Sequence, residues 1–349
     1  VDLGRVGLLL LAFSSGSLVA TLTGGRLSDR LGELAVLRAG ALLYLAGSLL
    51  WAGARSFPTF VAGSFSAGLG GGSLALASVS LLHRLHGERR RFAIAGSQAM
   101  VALVYLSAPA GVGWLIERQG GFKGVYVVLV GISSALSLLA LSSGRSEPRV
   151  RHGKGGRLVP PGASGLFLAS FLHVGAEVSV SYWVCMYLAR TLGTGAFSSS
   201  FGLALYSSGM FLGRLVLTRL PEGWGDMRIL KGCVAGAMAS LVSVALSSGY
   251  VAKLASFFSV GFFIGGDWPT LLTYAGRRFP ERTGEATGYL MVGSGLGGLT
   301  FPPLMGLLGG RFGAWVLVVG PLVPLVGLMA VAWRLGREKT KEVGHRTFE

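Results

Sequence analysis

About eleven apolar runs, each about 20 residues long, account for most of this chain. A run of that length crosses the hydrocarbon core of a bilayer as a helix, which pairs its backbone polar groups internally. Hydrophobic residues make up 51% of the 349-residue sequence and charged residues only 13%, which excludes an ordinary soluble domain. Strand-like alternation is absent, so the runs predict an all-α membrane protein. The predicted spans are 3–23, 36–54, 58–82, 93–116, 124–143, 163–189, 196–218, 229–249, 252–275, 286–309 and 312–333.

The basic residues produce a net charge of +16, and they concentrate in alternate connections between the apolar runs. Such a bias marks the cytoplasmic side of a membrane protein. It predicts a multi-pass protein of the cytoplasmic membrane whose C-terminus and long central connection face the cytoplasm. Anionic lipid headgroups are the expected partners of this charge, and nucleic acid is not expected.

An internal repeat relates the two halves of the chain at an offset of 193 positions, as between Pro109 and Pro302 (302 − 109 = 193). Several in-register matches exceed what chance explains, and they predict that the chain consists of two like halves. Further pairs at this offset are Gly113 and Gly306, Arg118 and Arg311, and Gly120 and Gly313.

The segment 24–32 (Gly-Gly-Arg-Leu-Ser-Asp-Arg-Leu-Gly) is interpreted as a short basic turn between the first two runs. It resembles the signature loop of the major facilitator superfamily, which there joins the second and third membrane helices. The resemblance implies two pseudo-symmetric helical bundles around a central cavity, and about eleven helices, which is twelve minus helix one. We expect a monomer. The implied organisation is an N-terminal bundle at 1–143 (helices two to six), a cytoplasmic basic linker at 144–162, a C-terminal bundle at 163–336 (helices seven to twelve) and a cytoplasmic tail at 337–349.

Two carboxylates, Glu177 and Asp267, lie inside apolar runs. Ionisable residues within a membrane are costly and usually functional. His173 and Ser181 lie one helical turn before and after Glu177, on the same face. Because burial disfavours a charged carboxylate, Glu177 is suited to bind and release a proton. We therefore expect Glu177, supported by His173 and Asp267, to carry a coupling proton, with a purely structural pairing to Arg214 as the alternative.

Asp267 is followed by Trp268 and Pro269. Because proline lacks a backbone donor, the sequence predicts a broken helix here, which is a typical substrate-facing element of transporters. The alternative is a kink for packing, in which Asp267 pairs with freed backbone groups.

Residues 171–183 and 269–280 resemble the seventh and tenth helices of the fucose:proton symporter branch of the superfamily, with Gly175, Glu177 and Trp183 matching its helix-seven run. The resemblance implies proton-coupled transport of a small organic solute, possibly a sugar. Asn is absent and only two Gln occur, which argues against an amide-lined sugar site. Helix packing is the alternative role for each candidate contact. The predicted substrate contacts are Gln98, Tyr105, Ser181, Tyr182, Trp183, Tyr206, Trp268, Thr270, Thr273 and Tyr274.

The signature segment and its weaker repeat are predicted to gate the transporter. Asp29 can accept hydrogen bonds from a helix N-terminus and Arg30 can bridge to a carboxylate, so the pair would latch the cytoplasmic face in one state. The predicted gating residues are Gly25, Arg26, Asp29, Arg30, Gly32, Gly213, Arg214 and Arg219.

Other chemistry is not indicated. The glycines of 293–298 resemble a dinucleotide fingerprint but lie in an apolar run without a preceding strand, and neither a phosphate-binding loop nor a zinc pattern occurs. We expect no cofactor, no metal and no enzymatic activity. The resulting hypothesis is a secondary active transporter that moves a small organic solute by alternating access, coupled to protons. The alternatives are a proton-antiport drug or metabolite efflux pump and a truncated, non-transporting product.

Overall fold

The computed structural model describes residues 2–85, 104, 107–119, 121–144, 164–217, 219–220, 224–279 and 283–346. Within these ranges all the regular secondary structure is helical. The chain divides into two compact units, Val1–Lys154 and Gly155–Glu349.

The first unit is built around α3, which packs against both α1 and α2, while α2 also packs against α5. Arg38 on α2 donates to the carbonyl oxygens of Ala140 (2.9 Å) and Gly144 (2.7 Å), and also to that of Ser143. These acceptors lie at the end of α5, where carbonyls lack partners within the helix. The helices are α1 (Leu3–Leu31), α2 (Glu33–Gly53), α3 (Phe57–Leu85), α4 (107–119) and α5 (Lys123–Ser142).

The second unit is built around α6 and α9. Helix α6 packs against α7, α9, α10, α11 and α12, and α9 packs against α7, α8 and α10 as well. The helices are α6 (Ser164–Leu192), α7 (Ala196–Leu217), α8 (Asp226–Leu246), α9 (Tyr250–Arg278), α10 (Thr283–Phe312), α11 (Val316–Val319) and α12 (Leu322–Arg346).

Nine segments of the described chain are long and apolar enough to cross a membrane: α1, α2, α3, α5, α6, α7, α8, α10 and Val316–Arg337, which joins α11 to α12. This confirms the prediction of an all-α, multi-pass membrane protein. Helix α9 covers the predicted span 252–275 but is not among the nine, and it holds the buried charged residues Lys253 and Asp267. Most of the predicted span 93–116 lies outside the described residues.

The predicted basic turn at 24–32 is corrected by the structure. Residues 24–31 continue α1, and Gly32 alone connects α1 to α2 with a φ of 86°. The segment contains arginine and leucine, which favour helix, and no proline that would end it. A helix also keeps backbone groups paired up to the point of reversal. Glycine adopts the positive φ of that reversal without steric cost.

The same close contacts between helices recur within each of the two units. Four of the glycines at which an added Cβ would overlap a backbone carbonyl oxygen of a neighbouring helix form two pairs related by the repeat, and another residue at any of them would force the helices apart. Each glycine and partner in the second unit lies 193 positions after its counterpart, for example 209 − 16 = 193, so the sequence repeat is also a repeat in packing. The contacts are Gly16 on Phe65 and Gly68 on Phe13 in the first unit, and Gly209 on Phe258 and Gly261 on Tyr206 in the second.

Candidate functional site

Three helices of the second unit bring four charged side chains together. Helix α6 carries His173 and Glu177, whose spacing of four residues places them on one face. Helix α7 carries Arg214 in its last turn, and α9 carries Asp267 near its middle. We call these four residues the charged cluster.

His173 lies at the centre of the charged cluster and is fully buried. Its Nε2 atom lies 3.0 Å from Oε2 of Glu177, and its Nδ1 atom lies 3.4 Å from Oδ2 of Asp267. Both distances are those of ion pairs, although neither approach has the full geometry of a hydrogen bond. A neutral imidazole has a single N–H, so a histidine that faces two carboxylates with both nitrogens is best matched by its doubly protonated, cationic form.

Within the charged cluster, Glu177 lies between His173 and Arg214. Its side chain is 18% exposed, and its Oε1 atom lies 3.8 Å from Nη2 of Arg214. The same Nη2 lies 3.3 Å from the sulfur of Met210. The Tyr206 hydroxyl donates to the backbone oxygen of Glu177 at 3.1 Å, which fixes α7 against α6 at this level. Glu177 is therefore the carboxylate of the cluster whose side chain is partly exposed.

Asp267 is fully buried, and the helix around it is not broken. Helix α9 continues through Pro269, so the predicted broken helix is wrong. Proline removes a single backbone donor, and in a membrane a helix remains the conformation that satisfies the other backbone groups. The Thr270 hydroxyl donates to Gly266 O (2.7 Å) and the Thr273 hydroxyl to Pro269 O (2.9 Å), which adds partners on both sides of the proline.

The chain matches the family model described as Major Facilitator Superfamily over residues 1–257 and 166–349, which together span it completely. The protein belongs to the Major Facilitator Superfamily. The recognition from the signature segment is thereby confirmed, and proteins of this family are transporters.

Known proteins similar to this superfamily member support the same fold. The uncharacterized transporter y4wD of Sinorhizobium fredii is 24% identical over 334 residues, covering 91% of this chain and 88% of the relative. The crystal structure of the Escherichia coli fucose:proton symporter FucP matches with a TM-score of 0.61 at 18% identity, covering 94% of this chain and 90% of that chain. The nucleoside transporter NupG matches with a TM-score of 0.78 at 12% identity, covering 95% and 90%. At these identities the two structures show the fold alone.

Several predicted substrate contacts of this transporter have their polar groups occupied by the protein. The Trp183 side chain is buried, and its indole N–H donates to Pro302 O at 2.9 Å. The hydroxyls of Thr270 and Thr273 donate within α9. Tyr274 is buried. These placements are typical of helix packing.

Of the remaining predicted contacts, Trp268 lies beside the charged cluster. The half-buried Trp268 ring stacks on the His173 ring, with centroids 6.1 Å apart and planes at 19°. Ser181 is half-buried and Tyr182 is exposed. Gln98 and Tyr105 lie outside the described residues.

The predicted gating residues fall in both units, five at the end of α1 and its connection to α2 and three at or after the end of α7. The side chains of Gly25, Arg26 and Asp29 lie outside the described set, whereas Arg30 and Arg219 are exposed. Gly213 lies against the Phe262 carbonyl, where a Cβ would not fit. Arg214 belongs to the charged cluster, which the sequence analysis had considered only as an alternative.

The sequence contained a signal for the α7 side of the site. Tyr206, Met210 and Arg214 recur every four residues, which places them on one helical face, and all three contact either Glu177 or Arg214. Among the described residues no group of three or more His, Cys, Asp and Glu side chains is arranged to hold a metal ion.

Proposed function

We propose that this protein is a proton-coupled secondary transporter that moves a small organic solute across the cytoplasmic membrane by alternating access. The observation that carries the proposal is the buried His173 between the carboxylates of Glu177 and Asp267. Ionisable groups inside a membrane are costly, and they are kept where protons or substrates bind. One structural relative is described as a fucose:proton symporter, and we propose the same coupling ion here.

Glu177 is the proposed entry point for the proton. Its side chain is 18% exposed, whereas those of His173 and Asp267 are 0% exposed. A proton on Glu177 removes its attraction for the imidazolium and for Arg214 and changes the net charge of the cluster by one. Because an equilibrium between two conformations shifts with a few kcal/mol of differential interaction, this change is large enough to bias the transport cycle.

The substrate contacts, bundle boundaries and gates form part of the same proposal. Trp268 presents an aromatic ring beside His173, and Ser181 lies one turn beyond Glu177 on α6. The names of the structural relatives suggest a sugar or a nucleoside among the solutes to test. We assign 1–143 and 163–336 to the two bundles, with the segment 24–32 as a gate and the C-terminus in the cytoplasm.

The test uses purified protein in proteoliposomes with an imposed inward proton gradient. Radiolabelled L-fucose, uridine and benzoate are supplied one at a time. Wild-type protein is expected to accumulate one of them, and a protonophore should abolish that accumulation. Glu177→Gln keeps the size of the side chain but fixes it neutral, so it should lose accumulation while retaining exchange of labelled for unlabelled solute.

The matched control is Asp2→Asn. Asp2 is an exposed carboxylate that caps α1 by accepting from Gly4 N at 2.9 Å, and asparagine caps helices equally well. Accumulation in this variant should match wild type. Accumulation that survives the protonophore, or that is undiminished in Glu177→Gln, would contradict the proposed coupling.

A further inference from the structure

The guanidinium of Arg214 is the most loosely held group of the charged cluster. Its contact with Glu177 is 3.8 Å long, its contact with Met210 is to a weak sulfur acceptor, and the side chain is 46% exposed. A guanidinium has five N–H donors in a planar fork that matches a carboxylate. Arg214 is therefore placed to exchange Glu177 for a ligand that reaches it from water.

The charges of the cluster balance before a proton enters. Glu177 and Asp267 contribute two negative charges, and Arg214 contributes one positive charge. His173 contributes the second positive charge in the doubly protonated form that matches its two carboxylate neighbours. Protonation of Glu177 leaves a net charge of +1 and removes the carboxylate that Arg214 faces. His173 and Asp267 are fully buried, and an uncompensated charge beside buried groups is unfavourable, so the protonated cluster favours an anion beside Arg214.

From this arrangement we infer that the transported solute is a small organic monoanion, and that its carboxylate binds Arg214 when Glu177 is protonated. The inference rests on the proposed function and specifies its substrate class. A monoanion restores neutrality, whereas a neutral solute leaves the charge of +1 and a dianion reverses it. The Trp268 ring stacked on His173 offers an apolar surface for the body of the solute.

The charged and hydroxyl groups that face Glu177 come from α6, α7 and α9. His173 lies on α6 itself, Tyr206 and Arg214 lie on α7, and Asp267 on α9 faces Glu177 through His173. From α8, Cys233 lies against Gly266, the residue before Asp267. Among these groups Arg214 is the exposed cation, so it is the group that an anion from solution can reach.

The inference has an electrical consequence. One proton and one monoanion moved together carry no net charge, so transport should be electroneutral and insensitive to membrane potential. Proton symport of a neutral solute would instead carry one positive charge per cycle. The class of solute can therefore be recognised from the charge that is moved.

Binding is tested with benzoate and lactate, and with their neutral amides benzamide and lactamide as matched probes. Purified full-length protein in lipid nanodiscs is titrated at mildly acidic and mildly alkaline pH, and intrinsic tryptophan fluorescence reports binding. At acidic pH at least one acid should bind roughly 10-fold to 100-fold more tightly than its amide, as expected for a charge-assisted hydrogen bond. The preference should shrink at alkaline pH, where Glu177 competes for Arg214.

Variants of two arginines identify the residue responsible. Arg214→Gln should remove the preference for the acid, and Arg214→Lys should keep part of it because the charge remains without the planar fork. Arg228→Gln is the matched control, since Arg228 is an exposed arginine of α8 that lies outside the cluster, and the preference for the acid should be unchanged. If Arg214→Gln does not fold, the comparison rests on Arg214→Lys.

Three outcomes would overturn the inference: neither acid binds better than its amide, Arg214→Lys binds the acid as wild type does, or uptake of the acid generates a current. Infrared titration of the Glu177 carboxyl band, absent in Glu177→Gln, keeps the two proposals distinguishable. If the band titrates but the amides bind equally well, the monoanion inference fails and proton coupling stands. If the band does not titrate between the two pH values, proton coupling itself fails.

Discussion

The Nδ1 atom of His173 lies 3.4 Å from Oδ2 of Asp267, and both side chains are fully buried. These residues belong to α6 and α9, which are 94 positions apart at this point (267 − 173 = 94). A buried charge without a partner is strongly unfavourable, so each residue stabilises the ionised form of the other. The pair therefore contributes to the stability of the fold as well as to its proposed chemistry.

Replacing His173 with Phe should strongly destabilise the protein. The variant leaves the Asp267 carboxylate buried without a cation, and breaking a buried ion pair from one side typically costs about 3–5 kcal/mol. Thermal unfolding of the purified protein in detergent measures the loss. The double variant His173→Phe with Asp267→Leu should recover much of it, because it removes both charges. A double variant as unstable as the sum of the two single variants would exclude charge pairing as the cause.

Replacing Gly261 with Ala should separate α7 from α9. The new Cβ would overlap the carbonyl oxygen of Tyr206, and relieving such overpacking typically costs about 1–3 kcal/mol of unfolding free energy. Gly68→Ala should behave alike in the first unit, where the Cβ would overlap the carbonyl of Phe13. The control is Gly288→Ala on α10, where a Cβ has open space. Equal unfolding temperatures for Gly261→Ala and Gly288→Ala would refute the packing argument.

Replacing Gly32 with Ala should strain the α1 to α2 connection. Gly32 has a φ of 86° and a ψ of 152°, a region that is almost restricted to glycine and costs another residue about 1–3 kcal/mol. The unfolding temperature should fall accordingly. Gly53→Ala serves as the control because Gly53 has open space and lies in the helical conformation at the end of α2. A shift of the same size in both variants would mean that the backbone conformation of Gly32 is not the reason.

Replacing Trp183 with Phe should affect stability more than substrate affinity. The indole donates to Pro302 O at 2.9 Å within a buried contact between α6 and α10, and losing one such bond typically costs about 1 kcal/mol. Thermal unfolding should detect this change, while the KM for the transported solute should match wild type. A raised KM at unchanged stability would instead support the role in substrate binding that the sequence predicted.

The local sequence determined the class of fold and one face of the site. Apolar runs long enough to span a bilayer leave the backbone little choice but helix, because lipid supplies no partners for its polar groups. The spacing of His173 and Glu177 placed them one turn apart on a single helix, as α6 confirms. The 193-residue offset also predicted a repeat, which reappears in the glycine contacts of both units.

Long-range packing decided what the sequence could not. The residues around Asp267 do not specify that it faces His173, because this contact depends on how α9 lies against α6. The residues around Arg214 likewise do not show whether it acts as a gate or as a partner of Glu177. The helical continuity of 24–31 and of α9 through Pro269 follows from the pairing of backbone groups along whole helices, which overrides local turn signals. The physical reason is that turn and helix signals compete by about 1–3 kcal/mol per residue, whereas the packing and backbone pairing of a whole helix outweigh them.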